Sequence, residues 1–431
     1  MPSTPTDVAG YEMFPRVIPE GWSGKLRLKG EYAHTKLVPG VAYNYTLKSM
    51  RWYADTKRRN AALAGAVEAD GRGGLVIPFE PDAPGEWVLE VTSEDQSVRA
   101  LPTLGLYVNQ PAHHGLRPYI GDLHAHSTGS DGRQEPAYVA IRAREVGYDF
   151  FALTDHGNFK SSGEMVRKAR GKLGNRMLLM RGEELHMDGC YFHYVGIGHK
   201  HGMEDFRRKN EATWRREVAK IVRELKGRAT VPRLDLKIYA EGVWKVRRVK
   251  AQGGLVLFSH PYWSWGNSLF IDEAHREQTF LDREFDAVEA ISAVDRSFTM
   301  SNRMAATPDE ARPLPVVGVS DSHSWYEEGT GGTCWTYVLA EELTQASVFD
   351  AIRAGRSLAC EKADNRVRLV GPFEFVDFAD FYHRKLLPIK RRSMELEARL
   401  AFSALRGAPY DRGLVERLDE SLARLERKLW A

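Results

Sequence analysis

The chain has 431 residues, 43% hydrophobic and 28% charged, with a formal net charge of +3. That length is too great for one simple domain, and the composition is that of an ordinary globular protein. The near-neutral balance gives no case for a dedicated nucleic-acid surface, though it leaves room for a local basic patch, and no apolar run reaches the roughly 18 residues of a membrane span. From residue 20 to 110, short alternating runs such as "KLRLKGEYAH", "AYNYTLKSMRWYA", "GGLVIPFEP" and "GEWVLEVTSE" are separated by Gly, Pro and Asp turns. They predict a small β-sandwich-like domain over 1–115. From Tyr119 the rhythm changes to strand-like runs alternating with helical ones, from "YIGDLHAH" and "PAYVAIRAREVG" to "PLPVVGVSDSH" and "GTCWTYVLA". This alternation predicts an α/β domain over 116–364, built of βα units around a parallel sheet or barrel. After about Asp364 the strand signal fades, and a helical extension is expected over 365–431. Its amphipathic "GLVERLDESLARLERKLW" offers a leucine face for packing or a homo-oligomer contact.

The N-terminus lacks a basic end followed by an apolar core, so no secretion signal is expected. Cys190, Cys334 and Cys360 are odd in number and widely spaced. They fit buried thiols in a reducing cytoplasm rather than a disulfide framework.

The chemistry is concentrated at strand ends. In "YIGDLHAHSTGSDG", strand alternation puts His124 and His126 on one side, with Asp131 shortly after. "YDFFALTDH" ends at Asp155 and His156, and "RMLLMRGEELH" ends at Glu183, Glu184 and His186. "CYFHYVGIG" carries His193, "GGLVLFSHP" ends at His260, and "PLPVVGVSDSH" ends at Asp321 and His323. A lone His-x-His pair is a weak signal. Recurrence at run after run is a strong one, because clustered buried ionisable groups are costly unless cations compensate them. Imidazole with carboxylate suits Zn²⁺, Mn²⁺ or Fe²⁺ better than Ca²⁺. The donors are too many for one ion.

The ordered series "GDLHAHSTGSDG", "ALTDHG", "RGEEL", "HYVGIG", "FSHP" and "GVSDSH" resembles the motifs of the PHP (polymerase and histidinol phosphatase) superfamily. The resemblance covers roughly Tyr119 to Asp364. With the β domain before it, the architecture is similar to the carbaryl-hydrolase-like branch. The resemblance implies a distorted (β/α)7 barrel with three divalent metal ions, Mn, Zn or Fe, at the C-terminal strand ends. It implies that His124, His126, Glu184 and Asp321 hold the first metal, that Glu184 bridges to a second completed by His193 and His260, and that Asp131, His156 and His323 hold the third. Many relatives have histidine where Asp131 stands. The family pattern of Gly, one residue, Glu selects Glu184 over Glu183, and alternation points Glu183 away. Asp155 is expected to support a ligand. His186 is a candidate supporting or substrate group.

Such a cluster lowers the pKa of a bridging water, and the resulting hydroxide is the expected nucleophile, with Glu184, Asp321 and His260 as the catalytic residues. Ser259 and Ser320 lie in no Gly-x-Ser-x-Gly elbow. Tyr262, Trp263 and Trp265 follow His260, where aromatics either stack on substrate or pack the loop. Arg181, Lys160 and Arg296 are candidate anion contacts, against the plainer reading of structural or solvated charges. The basic runs "FRRKNEATWRREVAKIVRELKGR" and "VWKVRRVKAQ" read as solvated helix faces. The leading expectation is a metal-dependent phosphoesterase (EC 3.1) acting on a small anionic substrate, a phosphomonoester or small phosphodiester. A metallohydrolase of a carboxyl ester, carbamate or amide is the alternative. An exonuclease and a non-catalytic module stand behind these.

Overall fold

The computed structural model describes residues 10–50, 63–93, 103–174, 177–265, 268–295, 298–306, 313–326, 329–364 and 366–431. The chain divides into two compact units: residues 1–116 with 376–393 and 417–431, and residues 117–375 with 394–416.

In the first unit the strands are β1 (Tyr11–Phe14), β2 (Val17–Pro19), β3 (Gly24–Gly30), β4 (Ala42–Ser49), β5 (Leu63–Glu68), β6 (Gly74–Phe79), β7 (Gly85–Thr92) and β8 (Thr103–Asn109). They form a three-stranded sheet, β1-β3-β6, and a five-stranded sheet, β2-β8-β7-β4-β5. Both close on one core. Leu26, Leu28, Ile77 and Phe79 from the smaller sheet share it with Tyr43, Leu47, Trp87, Leu89, Leu104 and Leu106 from the larger. This follows from their alternation, as in β7, where every second side chain is buried.

C-terminal residues complete the unit. The Arg16 amide donates to the Leu429 carbonyl at 2.8 Å, and the Tyr107 ring packs 4.9 Å from Phe378 and 5.4 Å from Phe381. A helical stretch runs from Phe373 to Leu405, with a wider turn at Tyr382–Leu386. Pro388 explains the wide turn, since proline removes a backbone donor and crowds the carbonyl four residues before it.

His383 is buried there and hydrogen-bonds through Nδ1 to the Ala379 carbonyl at 2.7 Å. Burial pushes its ring down to about 4. A histidine in the unfolded chain titrates near ~6.5, so above that pH both states are neutral and the ring contributes nothing. As pH falls from about 6.5 to about 4, the unfolded chain takes up a proton that the folded one refuses. Stability falls by on the order of 3 kcal/mol across that window. His383→Gln should therefore lose less stability than the parent between pH 7 and pH 4.5 in chemical denaturation. An unchanged difference would show that His383 is not an acid-sensitive group.

In the second unit the strands are β9 (Arg117–Asp122), β10 (Phe150–Leu153), β11 (Leu178–His186), β12 (His193–Ile197), β13 (Leu255–Phe258), a short hairpin of β14 (Ser264–Trp265) and β15 (Ser268–Leu269), then β16 (Ala287–Ser292), β17 (Val316–Val319), β18 (Cys334–Ala340), β19 (Ser357–Ala363) and β20 (Arg366–Val370). Ten of them make one sheet, ordered β17-β16-β13-β12-β11-β10-β9-β18-β19-β20. β10, β13, β17 and β18 are buried along their whole length, as strands covered on both faces must be. The sheet curls so that β17 returns to β18 and β19: the Thr336 hydroxyl donates to the Gly318 carbonyl at 2.8 Å and the Ser357 hydroxyl to the Val316 carbonyl at 2.6 Å.

Three expectations are corrected. The sheet is mixed rather than parallel: β9, β10 and β11 run parallel, as do β13, β16 and β17, but β12 is antiparallel to both its neighbours, and β18, β19 and β20 are antiparallel as well. The six residues from Met187 to Phe192 allow only a tight return, which a parallel crossover could not make. The region after 364 opens with a strand, β20, before the helices begin. Lys245, inside a run read as solvated, is 2% exposed, because Glu241 on the same helix (Leu236–Ala251) pairs with it at 3.2 Å. The other basic run is an outer face: Arg215 pairs with Glu211, and Arg207 with Glu204 and Asp188. Val415, Leu422 and Leu429 of the last helix are buried within the chain. Among the described residues no helix is long and apolar enough to cross a membrane.

Candidate metal centre

Backbone pairing at the strand ends brings the donors together. Past β9, Ala125 forms a bridge with Ser322, the His126 amide donates to the Ser322 carbonyl at 2.8 Å, and the Asp321 amide to the His124 carbonyl at 3.0 Å. His124, His126 and Asp321 are thereby set side by side, with the two histidine Nε2 atoms 3.2 Å apart. Past β10, His156 bridges to Glu184, and the Gly157 amide donates to the Glu184 carbonyl at 2.9 Å. On the hairpin of β11 and β12, His186 is paired with His193, and their rings stack at 3.8 Å. His260 follows β13 with φ 27°, and Asp321 follows β17 with φ 46°. Left-handed backbone is uncommon for such residues and tends to persist where the surrounding structure enforces it, often at functional sites.

Glu184 stands at the centre. Its Oε1 lies 2.8 Å from His193 Nδ1 and 3.1 Å from His260 Nε2; its Oε2 lies 2.9 Å from His156 Nδ1, 3.3 Å from His124 Nε2 and 3.4 Å from His126 Nε2. Asp321 Oδ1 is 3.0 Å from His126 Nε2 and 3.4 Å from His124 Nε2. Farther out, Asp131 Oδ1 is 3.2 Å from His156 Nε2 and 3.3 Å from His323 Nε2. These are not all hydrogen bonds. Glu184 Oε2 and His193 Nδ1 are buried and lack a hydrogen-bond partner despite their close contacts. Buried polar atoms rarely go unsatisfied. Donor atoms crowded together without hydrogen-bond geometry fit a shared cation.

All nine expected ligands fall into overlapping groups with donor atoms within 4.8 Å of one another: His126, Asp131, His156 and His323; His124, His260 and Asp321; His124, His126 and Glu184; Glu184, His193 and His260; and His156, Glu184 and His186. His126 therefore also reaches the outer group, and His186 joins the donors, its Nε2 lying 2.5 Å from His156 Nδ1.

The electrostatics of the metal-free residues agree with a site made for cations. Burial pushes the His126 ring down to about 4 and the His193 ring to about 3, so both offer a neutral lone pair at pH 7. Burial also opposes charge on His124, but Asp321, Glu289 and Glu184 carry its pKa well up. Burial works against the carboxylates too, yet the histidines hold Glu184 and Asp321 below the usual range, led by His124 in each case.

The supporting residues are buried carboxylates. Asp155 accepts from the Ser127 amide and hydroxyl at 2.7 and 2.6 Å and from the Ser130 hydroxyl at 2.8 Å, fixing the loop that carries Asp131. Asp122 accepts from the Ser320 hydroxyl at 2.5 Å, and burial pushes it up to about 7. Glu183 faces the other way, accepting from the Met203 amide at 2.5 Å and contacting His199 at 3.2 Å.

Glu289 of β16 was not singled out from the sequence. One oxygen holds His124 Nδ1 at 2.7 Å and the other accepts the His260 amide at 2.7 Å, so one carboxylate orients two donors. The available signal was a single charge inside the strand "AVEAIS". Orienting carboxylates of this kind are typically worth about 10–100-fold in metal affinity. Glu289→Ala should show that loss in a competition titration against a chromogenic chelator. Unaltered affinity would make these two hydrogen bonds dispensable.

Trp263 stands beside the centre, 5.2 Å ring to ring from His260. A cleft of roughly 160 Å³ is lined in part by His156, Glu184, His186, Arg207 and Lys245. Arg181 and Lys160 do not face the donors: Arg181 lies over the Phe159 ring, and Lys160 points to Asp205 at 3.8 Å. Arg296 and the Trp265 side chain fall outside the described residues.

No family model and no curated protein matches the chain. Among solved structures it is similar to a two-domain protein of Bacteroides vulgatus containing a predicted PHP-like metal-dependent phosphoesterase, at 17% identity over 63% of this chain and 72% of that one, with a TM-score of 0.43. It is also similar to an amidohydrolase of Chromobacterium violaceum with bound sulfate, at 19% identity over 56% of this chain and 98% of that one, with a TM-score of 0.34. At these scores neither likeness bears on the chemistry argued from the residues.

Proposed function

We propose that the chain is a metal-dependent hydrolase of the PHP type, and that it acts as a phosphoesterase on a small anionic substrate. The observation that carries the reading is Glu184, a buried carboxylate with imidazole nitrogens crowded on both oxygens and one oxygen without a hydrogen bond. We read the curled sheet of 116–364 as the distorted (β/α)7 barrel, and 1–115 as a separate β domain. We take His124, His126, Asp131, His156, Glu184, His193, His260, Asp321 and His323 as ligands of about three Mn, Zn or Fe ions.

When bound, such cations supply Lewis acidity toward a phosphoryl oxygen and a nucleophilic water at neutral pH. The chain's own part is to fix the donors. Glu289 ties the ends of β9 and β13, Asp122 ties β9 to the end of β17, the stacked rings of His186 and His193 sit across the hairpin, and Asp155 anchors the loop of Asp131. Neither serine beside a ligand is placed as the nucleophile of a usual triad: the Ser320 hydroxyl is committed to Asp122, and the buried Ser259 hydroxyl has no hydrogen-bond partner to act as its base. The unpaired cysteines fit a cytoplasmic setting.

Several clustered cations supply more positive charge than a neutral carbonyl needs, and this favours phosphate over a carboxyl ester, carbamate or amide. The test is a substrate panel of 4-nitrophenyl phosphate, bis(4-nitrophenyl) phosphate, and the 4-nitrophenyl acetate and carbamate, run with Mn²⁺, Zn²⁺ and Fe²⁺. Phosphate hydrolysis at slightly alkaline pH is expected, abolished by chelator and restored by one of these metals. Fully metallated protein that cleaves the carboxyl ester or carbamate but no phosphate ester would transfer the assignment to the alternative.

A further inference from the structure

Two separate loops bring aromatic rings to one edge of the proposed metal centre. The turn after His260 is closed by the Trp263 amide donating to the His260 carbonyl at 2.9 Å and the Phe270 amide to the Trp263 carbonyl at 3.1 Å. The Trp263 ring lies 5.2 Å from His260, 6.3 Å from His193 and 4.7 Å from Phe270, centre to centre. Tyr191, from the return between β11 and β12, meets Trp263 edge-on at 5.6 Å and Phe270 at 5.0 Å. Packing alone would bury such a cluster. Instead Tyr191 is 52% exposed and Leu269, on the same hairpin as Trp263, is 57% exposed. An apolar surface left open beside convergent polar groups is the form of a ligand site.

We propose that Tyr191 and Trp263 form the wall that holds an aromatic leaving group, so that the substrate class is an aryl ester of phosphoric acid. The inference rests on the hydrolase reading above and adds to it the group that departs. In the step this implies, a water oxygen bonds to phosphorus and the bond from phosphorus to the aryl oxygen breaks. The electron pair and a proton end on that oxygen, giving a phenol and inorganic phosphate. Aromatic pairs prefer offset or edge-to-face contact at centroid distances near 4.5–7 Å, which the existing ring spacings show this cluster can provide.

The test is isothermal titration of the metal-reconstituted full chain with phenylphosphonate and methylphosphonate, which cannot be hydrolysed, and with 4-nitrophenol. Phenylphosphonate should bind about tenfold more tightly than methylphosphonate, a difference of about 1.4 kcal/mol. Tyr191→Ala and Trp263→Ala should each bring that ratio close to one, and Trp263→Phe should keep most of it. Metal content is measured for each variant, because lost metal weakens both phosphonates together and leaves their ratio unchanged. Equal binding of the two phosphonates by the parent, or a ratio untouched in both alanine variants, overturns the proposal. If neither phosphonate binds but 4-nitrophenol does, in a manner that needs Trp263, the wall stands and the phosphate reading fails. If none of the three binds, the wall is overturned.

Discussion

Glu184→Gln should lower kcat by at least about 10³-fold, roughly 4 kcal/mol in the barrier, while its neighbour Glu183→Gln keeps both metal and activity. The two side chains differ by one position on β11 and therefore point to opposite faces. Glu184 meets His156, His193 and His260 within 3.1 Å, so the amide replaces a charge-bearing oxygen where cations are to sit and turns a donor toward them. Glu183 is committed to the Met203 amide and His199. Its glutamine variant should lose only on the order of 1–3 kcal/mol of stability from a weakened buried hydrogen bond. Elemental analysis and kcat, measured on both variants after the same reconstitution, decide the matter. Equal loss in the two, or loss confined to Glu183, would place the centre on the wrong face of β11.

How far the site was legible depended on where its residues stood in the chain. His124, His126, Glu184, His260 and Asp321 each end an apolar run, and a strand end is where a barrel or curled sheet gathers its chemistry. The choice between Glu183 and Glu184 rested on resemblance and on the two-residue period of a strand, and the structure places Glu184 among the imidazoles. Glu289 gave no such cue, because it sits inside its strand and faces two donors that lie 165 and 29 residues away in sequence. Lys245 was hidden for a related reason: a basic run looks solvated until a carboxylate that neutralises it, Glu241, is seen one helical turn away. β12 was recognised as a strand but not as antiparallel, since direction depends on the brevity of the return rather than on composition. The packing of Phe378 and Phe381 on Tyr107 could not be read at all, because nothing local in either segment names a partner some 270 residues distant.

Burial across the donor set predicts the order in which the cations leave. The side chains of His124, His126, Glu184, His193, His260 and Asp321 are all under 10% exposed, whereas Asp131 is 58%, His323 39% and His156 25% exposed. Donors fixed out of water lose little on binding and much on release, since an uncompensated buried carboxylate costs several kcal/mol. Exposed donors can be solvated as the ion departs. A mild chelator should therefore take about one equivalent first, from Asp131, His156 and His323, with the other two held by the buried set. Stripping those two should lower Tm by roughly 10–20 °C, because each ligand at 100 times its Kd adds about 2.7 kcal/mol to the folded state and each 1 kcal/mol moves Tm by about 2–4 °C in a domain of this size. His260→Ala, which removes a donor shared by two of the buried groups, should be nearly inactive and retain no more than the outer ion and a weakened inner one. Stepwise chelation followed by elemental analysis and calorimetry reads all three quantities. A chain that never takes up more than one equivalent, or that loses every ion in one step with Tm unchanged, would rule out a graded three-ion centre built around Glu184.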